Sequence, residues 1–406
     1  MKKITILLYW ILIALLAGIA SYYVDQSINF VLIGCIVVGC IFSVYKSFEK
    51  EGYIGQTLAL KDNGRTAVYD YLRVLAVLCV ITVHILGLDL TAAADLAGTT
   101  LYENLNVLRW WCFNCNMIFV MISGALLLKY KDEGVLHFYL KRATKIIIPL
   151  VIYYIWYLWQ GDQLAGSTPF QVAVRIFTGD IYTMGANHFW LIYDLLALYL
   201  VVPFLRIMLK DMSYKMLSGL MMVLFIVSIV DLYFPSNIAI SRPFAGWLAV
   251  AIAGFWCAKS ETRKYDNWLI IFGIISTILM CVVIKYDSNY QMTLGNLSPY
   301  RVAMAVGIFS IFFKLQKYLK NIYIIRLISK YSYGIMLIHL WVIGDVERKL
   351  FKISSVMYKG AGLIFSVAMT LLIGILVTYL IENLFTVIFN TIIDKLTQTK
   401  KEPLGG

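Results

Sequence analysis

Charge is scarce in this chain of 406 residues: Asp, Glu, Lys and Arg together make up 14%, against roughly a quarter in soluble domains. Also missing is any polar stretch long enough for a soluble domain, since the longest gaps between apolar runs are residues 47–68 and 161–187. There is no phosphate-binding glycine loop, short-period repeat or low-complexity tract, and no clustered set of metal ligands, so a nucleotide-hydrolysing or metal-centre reading has no support. Histidine is the rarest of the chemically useful residues, with 4 in the chain. The 7 cysteines (Cys35, Cys40, Cys79, Cys112, Cys115, Cys257 and Cys281) all fall in or beside apolar runs. Cys112 and Cys115 have redox or metal spacing, but they lie in a helical stretch with no second pair. They read as small buried hydrophobes, and no disulfide framework is implied.

What is present is apolar: 61% of residues are hydrophobic and the mean hydropathy is +0.79. Apolar runs of bilayer-spanning length, about 20 residues, recur along the whole chain. They place about twelve spans, at roughly 4–22, 27–46, 69–90, 107–128, 146–160, 188–208, 216–234, 243–258, 267–285, 300–316, 331–346 and 361–390. The runs are too long for barrel strands and lack a period of two, so the fold class is an all-α polytopic membrane protein whose backbone bonds close within each helix. Lys2, Lys3 and the small residues Gly18, Ile19 and Ala20 imitate a cleaved signal. The second apolar run that follows at once favours a retained helix.

Placing the N-terminus in the cytosol puts 25 of the 35 Lys and Arg residues in inner segments. Nine fall outside, Arg109, Arg301 and Arg348 among them, and Arg73 lies within a span. That asymmetry obeys the positive-inside rule; with an even number of spans, both termini are cytosolic. The net charge of +12 is then explained by insertion and anionic lipid head groups, and a nucleic-acid partner is not needed.

One run, YDYLRVLAVLCVITVHIL at 69–86, carries Arg73 and His84 eleven residues apart. At about 100° per residue the two share one helix face, and at 1.5 Å per residue they are separated by about 16 Å along the axis. Arg73 alone reads equally as a snorkelling anchor or a functional cation. His84 lies deeper, where ionisable groups face a bundle interior or a watery cavity. The stripe joins a cation at the cytosolic border to a proton-transfer group within the membrane. It suits coenzyme A: Arg73 holding a phosphate through its fork of donors, the thin arm following the helix, and a neutral His84 taking the proton of an attacking hydroxyl.

The same run, with Asp70, Arg73, Ala76 and His84, resembles the first core helix of the membrane acyltransferase 3 family, bacterial enzymes that acylate cell-surface glycans. NMIFVMISGALLL, with Phe119, Ser123 and Gly124, is similar to the second core helix. HFYLKRATKIIIP is similar to the basic segment before the third, with Arg142 and Lys145 where the family commonly has two arginines; lysine keeps the charge without the fork. His188, Phe189 and Trp190 leading to Pro203, YSYGIMLIH ending at His339, and TYLIENLF around Glu382 follow in the family's order. The resemblance implies a ten-helix core, here at 67–392, preceded by two extra helices and a basic linker (1–66) and followed by a tail (393–406). It also implies acyl-CoA, acetyl-CoA above all, as a donor substrate with no permanently bound cofactor, a glycan hydroxyl as acceptor, and residence in the bacterial inner membrane.

On this topology His84 is the expected catalytic base, and Arg73, Arg142 and Lys145 clamp the donor phosphates. A plain positive-inside loop also accounts for Arg142 and Lys145. His188 and Trp190 fit acceptor binding, although both also suit an interfacial aromatic belt. Asp70 orients Arg73 from three residues away. Ser123 supports the site. Glu382 reads first as a structural ion pair, and His339 as a hydrogen bonder between helices. Twelve spans also suit a transporter or polysaccharide exporter, which would show matched halves and paired broken helices.

Overall fold

A computed structural model describes residues 66–182, 185–233, 246–350 and 361–381. Among them every regular element is helical, and no strand occurs. The expected spans at 4–22 and 27–46, and Glu382, lie outside the described residues.

The first described helix, α1 (Ala67–Ala92), carries the Arg73–His84 stripe. The next expected span is two helices, α2 (Thr100–Cys112) and α3 (Asn114–Leu127), broken at Phe113. α4 (Val135–Arg142) runs into a π-helical turn, Ala143–Ile147, and then α5 (Ile148–Gln160). The widening has a local cause: Pro149 has no N–H to give the Lys145 carbonyl, and its ring crowds that carbonyl.

The segment 161–187, expected to be loop, holds α6 (Pro169–Thr178). Its start is a capping box between Thr168 and Gln171 with Pro169 in the first turn, and it stops at Gly179 in the left-handed region, φ 69°. Phe170 and Phe177 on α6 are exposed, as on a helix lying in a membrane interface. Arg175 ties it down through Asp180 and Gln163, and the Tyr193 hydroxyl donates to the Ile176 carbonyl.

The chain continues through α7 (Trp190–Lys210), α8 (Tyr214–Tyr233), α9 (Trp247–Cys257), α10 (Asp266–Tyr286), α11 (Pro299–Lys314), α12 (Tyr323–Trp341), a π-helical extension Val342–Leu350, and α13 (Ala361–Ile381). Among the described residues six helical stretches are long and apolar enough to cross a membrane. Their burial sorts them into layers: 67% of the most apolar window is buried in α1, 67% in α2–α3 and 72% in α12, against 17% in α10 and 33% in α13. α10 turns Ile271, Ile274, Ile278 and Val282 outward. Exposed apolar rows on this scale belong against lipid, so the protein is a multi-pass membrane protein.

Lipid offers little hydrophobic drive for one helix to find another, and close backbone approach takes its place. A Cβ on Gly124 of α3 would collide with the Ala251 backbone of α9, and one on Gly254 of α9 with the Met121 backbone of α3. Between α10 and α11, a Cβ on Gly273 would come within 2.9 Å of the Gly307 Cα. In the π-helical extension after α12, buried Glu347 accepts hydrogen bonds from Ser366 and Thr370 of α13, while Arg348 pairs with buried Asp89 of α1.

Candidate active site

Two helices frame the stripe. Asp70, 2% exposed, accepts a hydrogen bond of 2.5 Å from the Ser329 hydroxyl of α12 and lies 3.6 Å from the Arg73 guanidinium. Fourteen residues further along α1, His84 meets His339 of the same α12, ring centroids 4.9 Å apart. The pairs 70 with 329 and 84 with 339 show that α1 and α12 run parallel. The stripe therefore faces the bundle interior.

A third histidine joins them at the start of α7: His188 stands 5.0 Å from His339 and 6.4 Å from His84, centroid to centroid. Three of the chain's 4 histidines thus converge. His188 is buried against Tyr157 and Phe189. Its Nε2 lies 3.0 Å from the Leu337 carbonyl, and the Nδ1 of His339 lies 2.7 Å from the Met336 carbonyl. A carbonyl only accepts, so each of these nitrogens carries the proton. Neutral imidazoles so fixed leave His188 Nδ1 and His339 Nε2 as bare acceptors; both are buried without a hydrogen-bond partner among the described residues. His84 lines the same cavity, so a ligand there is within reach of its ring.

The three rings line a cavity of about 90 Å³ together with Val83, Phe113, Cys115, Asn116, Trp190, Asn296 and Met336. Space on this scale takes several waters or a small reacting group. Arg109 of α2 is near enough for its charge to act on His84, and it packs over Phe113 on the cavity wall. A smaller void of about 20 Å³ between α8 and α9 is lined almost wholly by apolar groups such as Met221, Leu224 and Val250, and is a packing gap. Among the described residues no group of three or more His, Cys, Asp or Glu is arranged to hold a metal ion. The cysteines at 79, 112, 115, 257 and 281 are free thiols.

Arg73 and Arg142 lie at the other end. From the histidine level to Arg73 along α1, and from Trp190 to Tyr199 along α7, the rise is about 14–16 Å. Arg142 sits at that depth over the rings of Phe138 and Tyr199, 5.3 and 6.0 Å from their centroids. Its Nε is buried without a hydrogen-bond partner. Ser123 meets the Tyr199 hydroxyl at 3.4 Å, which places it beside Arg142 and away from the histidines. Lys145, on the π-helical turn, is exposed. Arg206 serves the scaffold: it donates to the Leu127 carbonyl, pairs with Glu133 at 3.1 Å and stacks on Phe138.

Trp190 lines the cavity and packs on Trp247, centroids 5.6 Å apart. Asn116, Asn296, Arg109 and Arg301 were not distinguished by sequence as site residues. One signal did exist for the histidines: three of the four fall in or beside apolar spans, where ionisable groups seek the interior and one another.

The family model of an acyltransferase domain, acyltransferase 3, matches residues 67–383. A curated protein of Bacillus subtilis (strain 168), named "Putative membrane-bound acyltransferase YfiQ", is 23% identical over 297 residues, covering 68% of this chain and 81% of that protein. No solved structure matches. The matched segment runs from the first turn of α1 past the end of α13 and takes in every histidine of the cavity, and the chain belongs to the membrane acyltransferase 3 family: it is an acyltransferase of the membrane.

Proposed function

We propose that the protein is an O-acetyltransferase of the bacterial inner membrane, moving acetyl from cytosolic acetyl-CoA to a hydroxyl of a cell-surface or lipid-linked glycan. The observation that carries this reading is His84: it lines a cavity together with His188 and His339, whose unpartnered ring nitrogens are acceptors. Such a site favours a ligand that donates a hydrogen bond, as a hydroxyl does. Arg73, held by Asp70, and Arg142, half-buried without a carboxylate on it among the described residues, suit the donor's phosphates. Lys145 adds charge at the same end.

In the reaction the acceptor oxygen attacks the thioester carbonyl while His84 takes its proton. The C–O bond forms, the C–S bond breaks, and the proton passes from His84 to the departing thiolate. A positioned general base contributes about 10²–10⁴-fold. The parallel α1 and α12 accord with both termini in the cytosol and with twelve spans: a ten-helix core at 67–392, and two helices before it. Cells producing His84→Ala are expected to keep the protein in the membrane and to lose ester-linked acetyl from their envelope glycans. Acetylation at the wild-type level in that variant refutes His84 as base.

A further inference from the structure

The cavity has a mouth that the histidines do not explain. Asn116 of α3 and Asn296 of the loop before α11 both line it, 180 residues apart in sequence, and the Asn116 Nδ2 donates to the Asn296 Oδ1 at 3.3 Å. Asn296 is exposed and Asn116 half-buried, so the pair stands where the cavity opens, at the histidine end of the bundle and away from Arg73. The Asn116 Oδ1 takes only a weak hydrogen bond from the Cys115 thiol, at 3.5 Å, so it keeps a lone pair, and the two amides keep further N–H donors. That is a donor and an acceptor side by side, the complement of neighbouring hydroxyls.

The loop that carries Asn296 is held at unusual expense. Arg301, 2% exposed, sends its Nε to the carbonyls of Leu294 and Gly295, at 2.7 and 3.1 Å, and its Nη1 to the Trp110 carbonyl at 3.1 Å. Its guanidinium lies over the rings of Trp110 and Phe113, at 5.4 and 5.1 Å. No carboxylate pairs with it among the described residues. A buried cation is costly unless its donors are satisfied, and here Nε is met by the two carbonyls immediately before Asn296 and Nη1 by that of Trp110. The charge fixes a loop, and the loop presents one amide to the cavity.

We infer that the Asn116–Asn296 pair is the subsite that binds and orients the acceptor, gripping a polyhydroxylated ring by adjacent hydroxyls so that another reaches His84, with Arg301 as its positioning residue. The inference rests on the proposed acetyl transfer to a glycan, and it makes the acceptor enter from the face opposite the donor phosphates.

The test uses the full-length protein in lipid nanodiscs with radiolabelled acetyl-CoA, and envelope glycan from the producing cells, stripped of esters by mild alkali, as the acceptor probe. Thiol release without glycan, with water as acceptor, is the second readout. Asn296→Ala and Asn116→Ala are each expected to raise the glycan concentration needed for half-maximal labelling by about tenfold, the effect of one lost hydrogen bond. The KM for acetyl-CoA, whose phosphates bind at the other end of the bundle, moves less than the glycan dependence. Arg301→Lys moves the glycan dependence in the same direction. Asn296 is exposed, so its alanine variant does not threaten folding. Unchanged glycan dependence in both asparagine variants, while the wild type labels glycan, overturns the subsite. A wild type that releases thiol yet labels no glycan instead overturns the proposed acceptor class.

Discussion

Replacing Asp70 by Asn separates the charge of this residue from its shape. The amide has the carboxylate's volume and still accepts from Ser329, so packing between α1 and α12 is kept. What is lost is the negative charge 3.6 Å from the Arg73 guanidinium. Opposite charges at that spacing attract by about 4 kcal/mol at the effective dielectric of a partly buried pair. Desolvation of Asp70, 2% exposed, offsets much of it. A net loss on the order of 1–2 kcal/mol in holding Arg73 in place corresponds to about 5–30-fold. If Arg73 binds a donor phosphate, this loss falls on the KM for acetyl-CoA and leaves kcat nearly unchanged, because nothing at His84 has moved. Thiol release measured against acetyl-CoA concentration reads both constants. Ser329→Ala removes one hydrogen bond and retains the charge, so it is expected to follow with a smaller shift, about threefold to tenfold. A donor KM unaltered in Asp70→Asn, in protein of normal abundance, refutes the role given to the Asp70–Arg73 pair. A fall in kcat alone refutes it equally, since the effect is then on the chemistry.

Arg142→Ala is expected to raise the donor KM at least tenfold, from loss of a charge-assisted hydrogen bond, and Arg142→Lys to recover only part of it because the fork is gone; equal constants for lysine and arginine count against a phosphate contact. Gly124→Ala places a methyl in the backbone of Ala251 and is expected to lower thermal stability by about 1–3 kcal/mol. Gly219→Ala on α8, where a Cβ meets nothing within 4 Å, is neutral or stabilising through helix propensity; a matched response of the two melting temperatures refutes the contact argument. At the loop between α3 and α4, desolvation pushes the Glu133 carboxyl up, but the hydrogen bond and charge of Arg206, with help from Lys141 and His137, outweigh it and hold the group below its usual 4.5. Because the folded value is the lower one, the stability it lends is present above about pH 4.5 and is lost as pH falls through the folded value. Glu133→Gln therefore flattens the acid limb of melting temperature against pH, and an unchanged acid limb counts against the pair.

The parts of the site legible in sequence are those that a single helix carries. Arg73 and His84 share one element, so rise and rotation alone fix their spacing and common face, and Asp70 falls within the same two turns. The same arithmetic is silent on what lies across from that face. His188 precedes α7 and His339 ends α12, and their meeting with His84 depends on three helices packing side by side, which in lipid is decided by small residues and polar contacts with no periodic signature. The burial of His188 follows from that packing, whereas its neighbours Phe189 and Trp190 gave it the look of a membrane-border residue. Arg301 shows the limit most plainly: charge counting across the membrane treats it as one more outer cation, yet its guanidinium is spent on three carbonyls, two of them in a loop that no helical pattern describes. Breaks behaved differently according to cause. The π-helical turn before α5 traces to Pro149, a cause visible in the sequence, while the break at Phe113 comes without proline or glycine and follows the packing of Trp110 and Phe113 around Arg301. A buried cation thus shapes both the interruption of the second span and the loop facing it, which is why the mouth of the cavity, unlike its base, is written in contacts between distant residues.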